Sequence, residues 1–180
     1  MLTIDNTALV VIDVQGKLAQ LMVQKETLFA NLKRMIQGAQ TLEIPILWTE
    51  QVPEKLGDTT PEIKALLVQT AQPISKVSFS CCGNAPFMAQ LAALQRGQIL
   101  LTGMETHICV YQTALDLRRR GYEVQVVADA VSSRAAENKQ IGLERMKEAG
   151  ARLTSTEMAL FELLRAAEGP KFKEIAKIVK

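Results

Sequence analysis

Short runs of Val, Ile and Leu alternate along this chain with longer stretches of helical period, and few folds accept that rhythm. It is the pattern of βαβ units, in which parallel strands covered on both faces read as continuous apolar runs. Strands are expected over residues 8–14 (ALVVIDV), 44–49, 73–79, 98–103 and 123–128, with a weak sixth at 151–155. Between them, residues 27–42 place Leu28, Leu32, Met35, Ile36 and Ala39 at spacings of three and four, an apolar stripe that faces a sheet. Further helices are expected over 61–69, 85–96, 107–120, 136–149 and 157–166, and Pro170 opens a last one. Gly97 and Gly121 stand where helix C-caps belong, the latter behind Arg118, Arg119 and Arg120. The predicted fold is a three-layer α/β/α domain with a six-stranded, mostly parallel, doubly wound sheet.

At 180 residues the chain is most simply one domain over 1–180, long enough to bury a core without disulfide or metal staples. Its 21 Lys and Arg against 19 Asp and Glu leave +2, which supplies no broad attraction to nucleic acid or anionic lipid. Neither a basic signal-peptide start nor a membrane-length apolar run is present, and three irregularly spaced cysteines are not a disulfide framework. A soluble cytoplasmic protein acting on a small molecule is the expectation. A single histidine, His107, excludes a zinc site built on two or three histidines, so no metal and no cofactor is expected.

In an open parallel sheet, ligands bind beyond the carboxyl ends of the strands. There the first strand presents Asp13, the second Glu50 and Gln51, the third Lys76, and the fourth runs into Gly103-Met-Glu-Thr-His-Ile-Cys109. One acid, one amine and one thiol converge. Asp13 and Lys76 each put a charge at the end of an apolar strand, and a mutual ion pair offsets the burial of both. If Thr106 caps the following helix, Cys109 lies in its first turn, where the helix dipole and a nearby lysine are expected to lower the thiol pKa.

The Val-Ile-Asp-Val-Gln of the first strand, Lys76 in Lys-Val-Ser-Phe-Ser and the Gly-Met-Glu-Thr-His-Ile-Cys-Val segment together resemble the isochorismatase-like cysteine hydrolase superfamily. Leu-Asp-Leu-Arg-Arg-Arg-Gly, the stretch from Asp129 to Arg134 and the tail Phe-Lys-Glu-Ile resemble its isochorismatase domain-containing subgroup. The resemblance implies an Asp13-Lys76-Cys109 triad, a non-proline cis peptide between Met104 and Glu105, and an oxyanion hole from the amides of Glu105 and Cys109. It implies hydrolysis of a small amide or related C–N substrate through a Cys109 acyl-enzyme, with Asp13 as base and Lys76 as support. Nicotinamidases share that triad but carry an Asp-x-His metal motif, whereas Trp48 to Lys55 contains no histidine. A non-catalytic interaction protein or a thiol redox sensor on the same fold is the alternative.

Gln15, Trp48, Gln51, Phe79 and Ser80 stand where the walls of a substrate pocket belong, with Thr106 and His107 beside them. The loop from Glu50 to Thr60 is placed to cover that pocket. His107, two residues before Cys109, shares no helix face with it and is not expected to be its base. Cys81 and Cys82 read as plain loop thiols. The terminal helix pairs a solvated lysine face with an apolar stripe that packs on the core or on another subunit, which makes a homo-oligomer plausible.

Overall fold

The computed structural model describes residues 1–180. Six strands, β1 (Thr7–Ile12), β2 (Ile46–Gln51), β3 (Pro73–Lys76), β4 (Gln98–Met104), β5 (Glu123–Ser132) and β6 (Arg152–Thr154), pair in the order β3-β2-β1-β4-β5-β6. Every pairing is parallel. The helices are α1 (Gly16–Ala19), α2 (Lys25–Thr41), α3 (Pro53–Leu56), α4 (Pro61–Leu67), α5 (Ala85–Ala93), α6 (Tyr111–Arg119), α7 (Ala136–Glu148), α8 (Thr156–Leu164) and α9 (Gly169–Ile178).

The period of two in the central strand builds the three layers. Leu9 and Val11 of β1 point into one core with Leu32, Met35 and Ile36 of α2, Ile63 and Leu67 of α4, Leu160 of α8 and Ile175 of α9. Ala8, Val10 and Ile12 point into the other, against Phe87 and Leu91 of α5, Ala114 and Leu117 of α6 and Met146 of α7. The expected α/β/α architecture is therefore present, and the strand order reverses between β1 and β4. At that boundary Gly103, with φ +118°, lies so close to β1 that a Cβ would meet the Ile12 carbonyl oxygen at 2.1 Å.

Several boundaries move for identifiable reasons. β5 runs to Ser132 rather than ending at 128, because its register shifts against β4 between Leu101 and Gly103 and pairing resumes at Val131. The helix expected over 107–120 is two elements, a π-helical turn at Thr106–Val110 followed by α6. The loop from Glu50 to Thr60 contains α3, started by Pro53 at the first helical turn. At the C-terminal end of α5 the left-handed residue is Gln95, φ +53°, and not Gly97, whereas Gly121 takes φ +88° as expected. The apolar stripe of α9 is covered within the chain, since Ile175 is buried in the α2 core and Ile178 and Val179 pack against it.

Candidate active site at the carboxyl edge of the sheet

Four strand ends meet at the reversal of strand order. Asp13 leaves β1 with φ +55°, a left-handed conformation that Asp adopts more readily than most residues, and this sharp turn puts its carboxylate back over the strand ends. One oxygen, Oδ2, accepts from Lys76 Nζ at 2.7 Å, and Oδ1 accepts from Thr49 Oγ1 at 2.8 Å. The Lys76 side chain is fully buried. Its ammonium also donates to Gln51 Oε1 at 2.6 Å and to the carbonyls of Ser78 at 3.2 Å and Phe79 at 3.1 Å. A buried charge persists only when paired and hydrogen-bonded, and both charges here meet that condition.

Cys109 comes from the π-helical turn after β4. Its side chain and that of Asp13 line the same cavity. The expected lowering of its pKa does not occur: burial pushes the thiol well above its ordinary range, the Asp13 charge pushes it further, and Lys76 offsets only part. At the sulfur the Asp13 charge outweighs that of Lys76, so the resting group is a neutral thiol. Cys81, completely buried beside Thr49, is pushed up to about 12 by burial and Asp13, and Cys82 to about 11 by burial. All three cysteines are free.

Two expectations about the turn before Cys109 are corrected. No peptide bond is cis, so Met104–Glu105 is trans, and the change of direction is made by Glu105 at φ +25°, ψ +88°. Thr106 is not the cap: Glu105 takes that position, its carbonyl accepts from Ile108 N at 2.9 Å and Val110 N at 3.3 Å, and the buried Thr106 hydroxyl has no partner.

A cavity of about 210 Å³ opens on the sulfur. Of the expected residues it is lined by Asp13, Gln51, Phe79, Glu105 and Cys109. Leu18, Leu56, Met104, Ile108 and Arg134 complete it and were not expected as pocket residues. Arg134 follows the unforeseen extension of β5 and donates from Nε to Glu105 Oε1 at 2.6 Å. Lys76 lies behind Asp13, outside the lining.

The other expected pocket residues support it from outside. Gln15 clamps the covering loop: its Oε1 accepts from Gln51 N at 2.6 Å, and its Nε2 donates to the carbonyls of Gln51 at 3.1 Å and Gly57 at 2.6 Å. Trp48 is fully buried and donates to Thr59 Oγ1 at 2.8 Å. The Ser80 hydroxyl accepts from Cys82 N at 3.2 Å. His107 Nδ1 lies 3.0 Å from Ser133 Oγ and 3.3 Å from Glu105 Oε2, bracing the turn rather than facing the sulfur. No cluster of three or more His, Cys, Asp or Glu side chains is placed to hold a metal ion.

A doubly wound sheet with a carboxylate, an ammonium and a thiol gathered at its switch point defines an α/β enzyme-like architecture. The isochorismatase domain matches residues 7–158, and the chain belongs to that family. It is 39% identical over 177 residues to isochorismatase domain-containing protein 2A of Mus musculus, covering 98% of this chain and 84% of that protein. It is 38% identical over 180 residues to the secreted isochorismatase effector Isc1 of Phytophthora sojae, covering 97% and 85%. Among solved structures, the MAR1 ribonuclease of Caenorhabditis elegans superposes with a TM-score of 0.93 at 36% identity over 99% of this chain and 91% of that one. No helix is long and apolar enough to cross a membrane.

Proposed function

We propose that this chain is a cysteine hydrolase that cleaves a small amide or related C–N bond, with Cys109 as nucleophile, Asp13 as general base and acid, and Lys76 paired with Asp13 and holding it in place. The observation that carries this reading is that one carboxylate, Asp13, is paired with the buried Lys76 ammonium and shares the wall of one cavity with Cys109.

The raised thiol pKa decides how the first step runs. A preformed thiolate is scarce, so Asp13 takes the proton as the sulfur attacks the carbonyl carbon. The new oxyanion is held by the backbone N–H groups of Glu105 and Cys109. Collapse breaks the C–N bond while Asp13 returns the proton to the departing nitrogen, leaving a thioester on Cys109. Asp13 then accepts a proton from water as that water attacks the thioester, and Cys109 recovers its proton as the acid departs. No cofactor enters these steps.

A cavity of about 210 Å³ with apolar Leu18, Leu56, Phe79 and Ile108 suits a small substrate. Polynucleotide recognition requires many phosphate contacts, and a chain of net charge +2 offers little excess cation for them. Copies of the chain are read as associating through Val77 and Phe79, apolar side chains 80% and 54% exposed, the second of them in the cavity wall. A panel of small amides, carbamoyl compounds, nicotinamide and an RNA oligonucleotide, run with wild type and Cys109→Ala, tests the function. Hydrolysis of a small C–N substrate abolished by the substitution is expected. Turnover that survives Cys109→Ala, or cleavage of the oligonucleotide alone, overturns the reading.

A further inference from the structure

A second cavity, of about 320 Å³, lies between the start of α2, the C-terminal half of β5 and α7, and shares no lining residue with the cavity at Cys109. Half of its lining is aliphatic, from Val23, Leu28, Ala128, Val131 and Leu143, and Thr27 and Ser132 add hydroxyls. Two charged groups line it, Asp129 and Lys139. Asp129 is already committed, because its Oδ1 accepts from Thr156 N at 2.8 Å and Thr156 Oγ1 at 2.9 Å at the first turn of α8. Lys139 is not. It stands one turn before Leu143 on α7, is partly buried, and forms neither an ion pair nor a side-chain hydrogen bond within the chain. Burial lowers its pKa, and the Asp129 charge offsets only part of that effect. Gln24, at the lip, is held at φ +51° without being glycine, the kind of backbone strain that collects at ligand sites.

We propose that this cavity is a second ligand site that takes a short aliphatic monocarboxylate, its charge paired with Lys139 and its hydrocarbon against Val23, Leu28, Val131 and Leu143. A partly buried ammonium in no direct ion pair is costly, the Asp129 charge engaged at the start of α8 offsets only part of that cost, and a ligand carboxylate in contact with Lys139 supplies a direct partner. One free ammonium matches one negative charge. Aliphatic walls favour a hydrocarbon body over a phosphate or sugar, either of which demands several donors.

Butyrate and butyramide have nearly the same shape and differ in charge, so they serve as probes on the wild-type protein. The rate of Lys139 acetylation by a sulfonated N-hydroxysuccinimide ester is read by peptide mass spectrometry, with exposed Lys173 as the internal reference. Saturating butyrate is expected to slow Lys139 acetylation roughly tenfold, because only the unliganded fraction reacts, while butyramide leaves it unchanged. Equal protection by both probes, or by neither at tens of millimolar, overturns the proposal. Lys139→Gln is expected to lose the saturation-transfer NMR signal of bound butyrate. Retention of that signal also overturns the proposal, and the wild-type footprint decides alone if the variant does not fold.

Discussion

Asp13 carries opposite consequences for Lys76 and Cys109. It neutralises a fully buried lysine and raises the pKa of the thiol beside it. Replacing it with asparagine keeps the shape but removes the charge, and Lys76 still has Gln51, Ser78 and Phe79 as acceptors. Loss of a neighbouring negative charge lowers the thiol pKa, so more thiolate is present at a given pH. Asp13→Asn is therefore expected to speed alkylation of Cys109 by iodoacetamide at about pH 9, near the ordinary thiol pKa. The same change is expected to cut hydrolysis by ~10²-fold or more, since the base is gone. Rates that fall together contradict the division of roles. Asp13, Lys76 and Cys109 were legible because charged or reactive groups at the ends of apolar strands need a reason to be there. Arg134 and Thr49 were not: Arg134 reaches the cavity only because a register shift prolongs β5, and Thr49 reads as one more β-branched strand residue.

At the scale of elements, the turn that delivers Cys109 is held by a helix that never touches the cavity. Gly142 of α7 packs so closely on it that a Cβ would lie 3.0 Å from His107 N and Cα and 3.1 Å from the Thr106 carbonyl carbon. Those are backbone atoms and cannot swing aside. Gly142→Ala gains up to about 1 kcal/mol of helix propensity and loses about 1–3 kcal/mol to overpacking, so a modest net loss of stability is expected from thermal denaturation. Activity is expected to fall by an order of magnitude or more, because small displacements of a nucleophile are costly. Wild-type turnover in a variant of unchanged stability contradicts this view of the turn. Helical period gave the existence of the segment but not its π-helical start, since Thr106 to Val110 has no residue whose local preference distinguishes one helical turn from another. The strained Glu105 was equally invisible, being an ordinary glutamate whose φ is set by its neighbours.

At the scale of the molecule, short continuous apolar runs alternating with stretches of helical period were enough to define an α/β/α sandwich, because each layer must bury one face of the next. The order of the strands sets where the chemistry gathers, and the parallel β1–β4 pair brings residues nearly one hundred positions apart into one cavity. The terminal helix was legible as amphipathic, but the partner of its apolar stripe was not, because α2 and a second subunit offer the same chemistry. With that stripe covered, the proposed self-association is left to Val77 and Phe79. Sedimentation is expected to show an oligomer that Phe79→Asp weakens, whereas a monomer at micromolar concentration contradicts it.

The central claim is that a neutral Cys109 thiol becomes a covalent nucleophile only when Asp13 takes its proton. Intact-mass spectrometry of acid-quenched reactions with a substrate found in the amide panel tests it most directly. A mass increase equal to the acyl group, mapped to Cys109, is expected in wild type and not in Asp13→Asn. Steady hydrolysis with no adduct on Cys109, in an enzyme whose Cys109→Ala variant still turns over, contradicts it.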